Sequence, residues 1–169
     1  MDNQCLAGLA NATVAVTNPY YQPCVNRIRA RLAKAFSQTL AHKGGYLEPV
    51  EGMPREWNSG ADYLANLAMS TQSCGGNLNA EAVRQAFAGN VALQFFSDGG
   101  FNGRSGAFGV QLLAHSMHNG MKKPRMIGFL YKYVPEALSA FQMEILGLDA
   151  AVELLAESVA MNRHKRLNT

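Results

Sequence analysis

Val91-Ala92-Leu93-Gln94-Phe95-Phe96-Ser97-Asp98-Gly99-Gly100-Phe101 carries an apolar, β-prone run into an aspartate followed at once by two glycines. The run Val91–Ser97 predicts a buried strand that delivers a carboxylate to its end. Glycine behind the acid leaves room for a bulky substrate to approach the backbone. An Asp-Gly pair is also the usual mark of an ordinary turn, so Asp98 takes its meaning from the segments around it.

Downstream, Asn102-Gly103-Arg104-Ser105-Gly106 predicts a turn into a second strand, Ala107–Ala114. A polar loop, His115–Pro124, leads to a third strand over Arg125–Val134. A long helix follows from Ser139 to about Met161, with Phe141, Ile145, Leu148, Val152, Leu155 and Val159 at the 3.6-residue period. Upstream, Asn79 is placed to cap a short helix, Ala80–Ala88, that Gly89-Asn90 ends. Thr71–Asn79, with Gly75-Gly76, reads as a linker. Before it, Asn58 or Ser59 caps a helix to about Met69 with Ala61, Leu64, Ala65 and Ala68 inward. Tyr46–Glu51 is a short strand candidate in which Pro49 favours an edge. Pro23–Leu40 is a helix with proline near its first turn and His42-Lys43-Gly44-Gly45 as its stop. Residues 5–17 are small and apolar and end at Asn18-Pro19.

The 169 residues suit one domain with a core that needs no disulfide or metal staple. Hydrophobic residues at 48% and charged residues at 16% are ordinary for a globular chain. No apolar run approaches a membrane span, so no membrane partner is expected. The opening Met1-Asp2-Asn3-Gln4 lacks the basic start and apolar core of a signal peptide. Cys5, Cys24 and Cys74 are odd in number and form no Cys-x-x-Cys pair, which predicts reduced thiols in an intracellular compartment. A net charge of +3 decides little, but its distribution offers two basic clusters. Arg27, Arg29, Arg31 and Lys34 share a helix, and Arg163, His164, Lys165 and Arg166 lie near the end; both suit phosphate contacts, and both suit a solvated surface equally well.

The second half resembles the N-terminal half of a ribonuclease H domain. Phe96-Ser97-Asp98-Gly99-Gly100 and Gly103-Arg104-Ser105-Gly106-Ala107-Phe108-Gly109-Val110 match that family's opening strand and turn, and Ser139–Leu148 matches its glutamate-bearing helix through Glu144. The first half resembles the same family's C-terminal half. Met53-Pro54-Arg55-Glu56-Trp57-Asn58-Ser59-Gly60-Ala61-Asp62-Tyr63-Leu64-Ala65-Asn66-Leu67-Ala68 fits the pattern P-R-E-x-N-x-x-A-D-x-L-A-x-x-A of plant-type and retroelement members. Asp2-Asn3-Gln4 is similar to a family Asp-Ser-Gln, whose aspartate ends the fourth strand; Asp2 precedes Asp62 by 60 residues. The halves stand in reversed order. From Glu144 through Thr169 and on from Met1 to Asp2 is 27 residues, 25 plus 2, enough for a helix end, a loop and a strand. The expected fold is therefore α/β, a ribonuclease H-like mixed five-stranded sheet with helices on both faces. It is either circularly permuted or a window of tandem half-domains. Residues 1–70 supply the C-terminal half, 71–90 the linker and short helix, and 91–169 the N-terminal half.

The resemblance implies a function. Asp98, Glu144, Asp2 and Asp62 would converge, and carboxylates so close need cations to neutralise them. Two Mg²⁺ ions, or Mn²⁺ in their place, suit such oxygen donors. Together they would promote hydrolysis of the RNA strand of an RNA–DNA hybrid. By the resemblance Asp98 bridges both ions, Glu144 and Asp2 hold the one nearer the leaving group, and Asp62 the one nearer the nucleophile. Gly99, Gly100 and the Gln4 amide would meet the RNA, and Arg27, Arg29 and Arg31 the DNA phosphates. A retroelement source implies further domains of a polyprotein. Two departures stand out. Gly52 occupies the position, ten residues before Asp62, where many members carry histidine, and Ala140 and Phe141 precede Glu144 where polar residues are common. His115-x-x-His118 has loose metal spacing inside a polar hairpin loop. A non-catalytic ribonuclease H-like interaction module is the competing reading. A transposase or junction nuclease of the superfamily is disfavoured by Arg55-Glu56-x-Asn58-x-x-Ala61-Asp62.

Overall fold

A computed structural model describes residues 3–40, 50, 55–88, 91–116 and 124–164. In chain order these form α1 (Asn3–Ala10), α2 (Gln22–Leu40), a 3-10 turn (Arg55–Asn58), α3 (Ser59–Thr71) and β1 (Gly75–Leu78). There follow α4 (Ala80–Ala88), β2 (Val91–Phe101), β3 (Gly106–Ser116), β4 (Arg125–Val134) and α5 (Ala140–His164). The class is mixed α/β. Among the described residues the sheet has four strands, ordered β1-β4-β3-β2, and every pairing is antiparallel. That differs from the expected five-stranded mixed sheet. The strand candidate at Tyr46–Glu51, apart from Val50, and the tail Lys165–Thr169 lie outside the described residues.

The hairpin β2–β3 is set by its turn. Gly103 takes φ +95°, and the Asn102 side-chain oxygen accepts from the Arg104 and Ser105 amides at 3.1 and 2.8 Å. Only glycine adopts that φ without steric cost, and the asparagine oxygen holds the amides behind it. α5 begins at a reciprocal cap: Ser139 Oγ accepts from the Gln142 amide at 3.0 Å, and Gln142 Oε1 accepts from the Leu138 amide at 2.7 Å. Asn79 caps α4 as expected, accepting from the Ala82 amide at 2.9 Å.

The stretch Thr71–Asn79, expected as linker, contains β1, which pairs Gly75–Leu78 with Tyr131–Gly128 of β4. Two glycines and an asparagine have little strand preference of their own. Position is decided instead by the partner, for the Tyr131 ring lies over Gly75, where a Cβ would come within 2.6 Å of it.

Helices cover both faces of the sheet. On one face α5 and α4 bury Val110, Leu112 and Ile127 beneath Ala82, Val83, Ala86, Ala151 and Leu154. Outside α5, α1 and α2 bury Leu6, Ala10 and Ile28 against Ile145, Leu148 and Val152. Among the described residues α3 packs on the other face, over β2, β3 and β4, with Ala61, Leu64, Ala65 and Ala68 buried as the helical period requires. The segments read as opposite halves of one domain therefore meet in one layered unit. No helix among the described residues is long and apolar enough to cross a membrane.

Candidate active site around Asp98

Side chains alternate along β2, so Ser97 and Gly99 face α5 while Asp98 and Gly100 face α3. A Cβ on Gly99 would stand 2.6 Å from the Glu144 amide nitrogen and 2.6 Å from the Met143 carbonyl carbon. The first turns of α5 thus press directly on the strand beside Asp98. One turn further on, a Cβ at Gly147 would lie 3.5 Å from the Asp98 carbonyl oxygen. The space at Gly99, expected to admit a nucleic-acid backbone, is occupied by the backbone of α5. Gly100 differs: the nearest atom to its Cβ position is Met69 Cε at 4.0 Å, which leaves room on the α3 face.

The opposite face brings in the third acid. Asp98 is the register partner of Gly109 on β3. A Cβ on Gly109 would collide with the Ala61 carbonyl oxygen and lie 2.6 Å from Leu64 Cβ. The turn of α3 that carries Asp62 is therefore seated on the strand pair at Asp98. Asp62 is partly buried and accepts from Asn66 Nδ2 at 3.1 Å, one helical turn on. Asp98 and Glu144 are partly buried as well. Three of the four expected acids thus sit on segments that converge at one point of β2. Among the described residues, however, no three His, Cys, Asp or Glu side chains stand together closely enough to hold a metal ion. Asp2 lies outside the described residues. The next two residues, Asn3-Gln4, open α1, whose Leu6 joins the cluster containing Ile145, the neighbour of Glu144.

Asn58, read as a helix cap, makes no cap bond. Its Nδ2 instead donates to the Ser97 carbonyl at 2.8 Å, across 39 residues of sequence. The side chain is 4% exposed, and its Oδ1 finds no donor among the described residues. One buried amide thus ties the start of α3 to the residue before Asp98, a role outside the reach of local sequence reading. Asn58→Ala removes that bond and orphans the Ser97 carbonyl. It is expected to cost about 1–3 kcal/mol in urea denaturation, whereas a loss below about 0.5 kcal/mol would show that the bond fixes nothing.

The α2 arginines have partners inside the fold. Arg27 and Arg31 bridge to Asp149 at 3.0 and 2.7 Å, and Arg31 also reaches Glu153 at 3.2 Å. Asp149 holds the Arg27 guanidinium more firmly protonated than usual, through its hydrogen bond and then its charge. Arg29 donates to the Leu9 and Val14 carbonyls at 2.8 and 3.1 Å, fixing the chain that leaves α1. A phosphate at α2 would have to compete with these bonds. Among the described residues, His115 Nε2 is buried without a partner, and His118 lies outside them.

Cys24, beside Asp149, has its thiol pushed up to about 11 from an ordinary 9.0, by burial first and then by the Asp149 charge. The folded state therefore favours the protonated thiol. The stability this contributes is complete below pH 9 and is lost as pH rises through 11. Cys5 and Cys74 are exposed. At pH 8, disulfide-reagent labelling is expected to modify those two first and Cys24 about ten- to a hundred-fold more slowly. Three equal rates would contradict the placement of Cys24.

Compared with known proteins, the chain matches no family model, no curated protein and no solved structure.

Proposed function

We propose that the protein is a metal-dependent endoribonuclease of ribonuclease H type, hydrolysing the RNA strand of RNA–DNA hybrids, with the two halves of its domain in circularly permuted order. The observation that carries this reading is the convergence of three acid-bearing segments on β2. α5 meets the strand at Gly99, and the helix of the P-R-E-x-N-x-x-A-D pattern meets it beside Asp98. Contact between α1 and the first half of α5 supports Asp2 as the fourth member.

The donor chemistry suits two Mg²⁺ ions, or Mn²⁺, because carboxylate oxygens prefer hard divalent cations. Asp98, Glu144, Asp62 and Asp2 would hold them. When bound, such ions lower the pKa of an attacking water and stabilise the departing 3′ oxygen. The chain's own part is positional. Asn58 fixes the strand at Ser97, Gly99 lets Glu144 come close, and the Asn66 amide orients the Asp62 carboxylate.

A non-catalytic interaction module is the second reading. It is favoured by the lack of any metal-competent trio among the described residues and by Gly52 in place of histidine. Cleavage of a labelled RNA–DNA hybrid in Mg²⁺, compared between the wild type and Asp98→Asn, separates the two.

A further inference from the structure

The chain carries one tryptophan, Trp57, and the structure leaves it 70% exposed. Tyr63 is 65% exposed. Both exceed every other large hydrophobic among the described residues. A single exposed aromatic is common on any protein surface. These two, however, bracket Asp62 in sequence, Trp57 in the 3-10 turn and Tyr63 in α3, which follows that turn directly. Trp57 immediately precedes Asn58, the residue bonded to the strand before Asp98. Tyr63 immediately follows Asp62 and, with Asn66, Leu67 and Ser70, forms an i, i+3, i+4, i+7 stripe along α3. That stripe and Met69 line a shallow open depression. Its far end abuts the β2–β3 turn, where Asn102 Nδ2 and Ser105 Oγ each approach Met69 Sδ at 3.8 Å and Arg104 is exposed.

We propose that this face of α3, rather than α2, is the surface that binds nucleic acid, with Trp57 and Tyr63 stacking on sugar or base faces on either side of Asp62. The inference rests on the function proposed above and names the surface that would hold its substrate. Aromatic faces accept any base or ribose without reading sequence. Asn66 Nδ2 and Ser70 Oγ donate to Asp62 and to the Leu67 carbonyl, and the Asn66 and Ser70 side-chain oxygens offer acceptors to hydroxyls in a wide, shallow minor groove, with Arg104 a charge for a phosphate at the far end. The α2 arginines, already bonded to Asp149, Glu153 and two carbonyls, are left to a structural role.

Because Trp57 is the sole indole, its fluorescence reports on this surface alone. The full chain carrying Asp98→Asn is titrated with a blunt RNA–DNA hybrid in Mg²⁺, following tryptophan emission and, in parallel, the anisotropy of a label on the nucleic acid. Saturable quenching is expected at the same midpoint as the anisotropy change. Trp57→Ala and Tyr63→Ala are each expected to weaken anisotropy-detected binding by about 5- to 100-fold. Trp57→Phe is expected to restore most of it, and unchanged melting curves would exclude a folding defect. Hybrid binding that leaves Trp57 emission and the alanine variants unaffected overturns the surface while leaving the nuclease reading intact. Binding through Trp57 by a wild-type protein that does not cleave overturns the nuclease reading and keeps the surface. Absence of any hybrid binding overturns the surface.

Discussion

Gly99→Ala is expected to destabilise the fold by about 1–3 kcal/mol, while Gly100→Ala, one residue on, is expected to be neutral or stabilising by up to about 1 kcal/mol. The two glycines look alike in the sequence, yet they face opposite sides of β2. At Gly99 a methyl group would sit 2.6 Å from backbone atoms of Met143 and Glu144, which belong to a hydrogen-bonded helix and cannot swing aside. α5 would have to lift from the strand, opening the contact on which Gly147 and Phe108 also depend. At Gly100 the nearest neighbour is the far end of a flexible methionine at 4.0 Å. There the added Cβ reduces the freedom of the unfolded chain at no steric cost. Urea or thermal denaturation reads both; in a chain of this size each kcal/mol moves the Tm by about 2–4 °C. Equal effects at the two positions would contradict the seating of α5 on β2. Because Glu144 rides on the same turn, Gly99→Ala is also expected to impair any activity that needs Glu144 beside Asp98.

The elements of the second half were legible because each carries its own local signal. β2 through β4 are β-prone runs separated by turn residues, although β2, expected to end at Ser97, pairs with β3 through Asp98-Gly99-Gly100 to Phe101, so Asp98 lies within the strand rather than at its end. α5 combines a cap with a sustained helical period. Its observed span, Ala140–His164, lies within a few residues of the expected one. α3 and α4 were legible for the same reason. What escaped is what depends on distant partners. β1 is a strand because β4 and the Tyr131 ring make it one, not because Gly75-Gly76-Asn77 favours extension. α1 is eight residues of small apolar sequence, stabilised by Ile28 and Ile145 rather than by propensity. The arginines of α2 looked available for phosphate because Asp149, which pairs with Arg27 and Arg31, lies 122 and 118 residues away. Asn58 sits at a helix start and so looks like a cap, but its bond to Ser97 belongs to tertiary packing.

The site was legible in the same uneven way. The acid-bearing motifs named Asp98, Glu144 and Asp62, and their segments do meet on β2. The identity of the neighbours did not follow from the motifs. Gly99 makes room for a helix, and the exposed aromatics beside Asp62 carry no signal until burial is known.

The second large expected effect is catalytic. Asp98 stands where α5 and α3 both reach β2, so it lies beside both the helix that carries Glu144 and the helix that carries Asp62. Asp98→Asn keeps its shape and removes its charge. The side chain then loses the anionic oxygens that would bind cations while its size is kept, and melting curves of the two proteins check that the fold is retained. If carboxylates at this point hold catalytic ions, the rate of hybrid cleavage should fall by at least about a hundred-fold. Excess Mg²⁺ should restore little of it, since the missing ligand is not replaced by mass action.

The most direct measurement is therefore cleavage of an RNA–DNA hybrid, labelled on the RNA strand, by the wild type and Asp98→Asn side by side in Mg²⁺ and in EDTA. The account predicts RNA fragments with 5′-phosphate and 3′-hydroxyl ends from the wild type in Mg²⁺ alone, and next to none from Asp98→Asn. Equal cleavage by the two proteins, or none by a folded wild type, would contradict it.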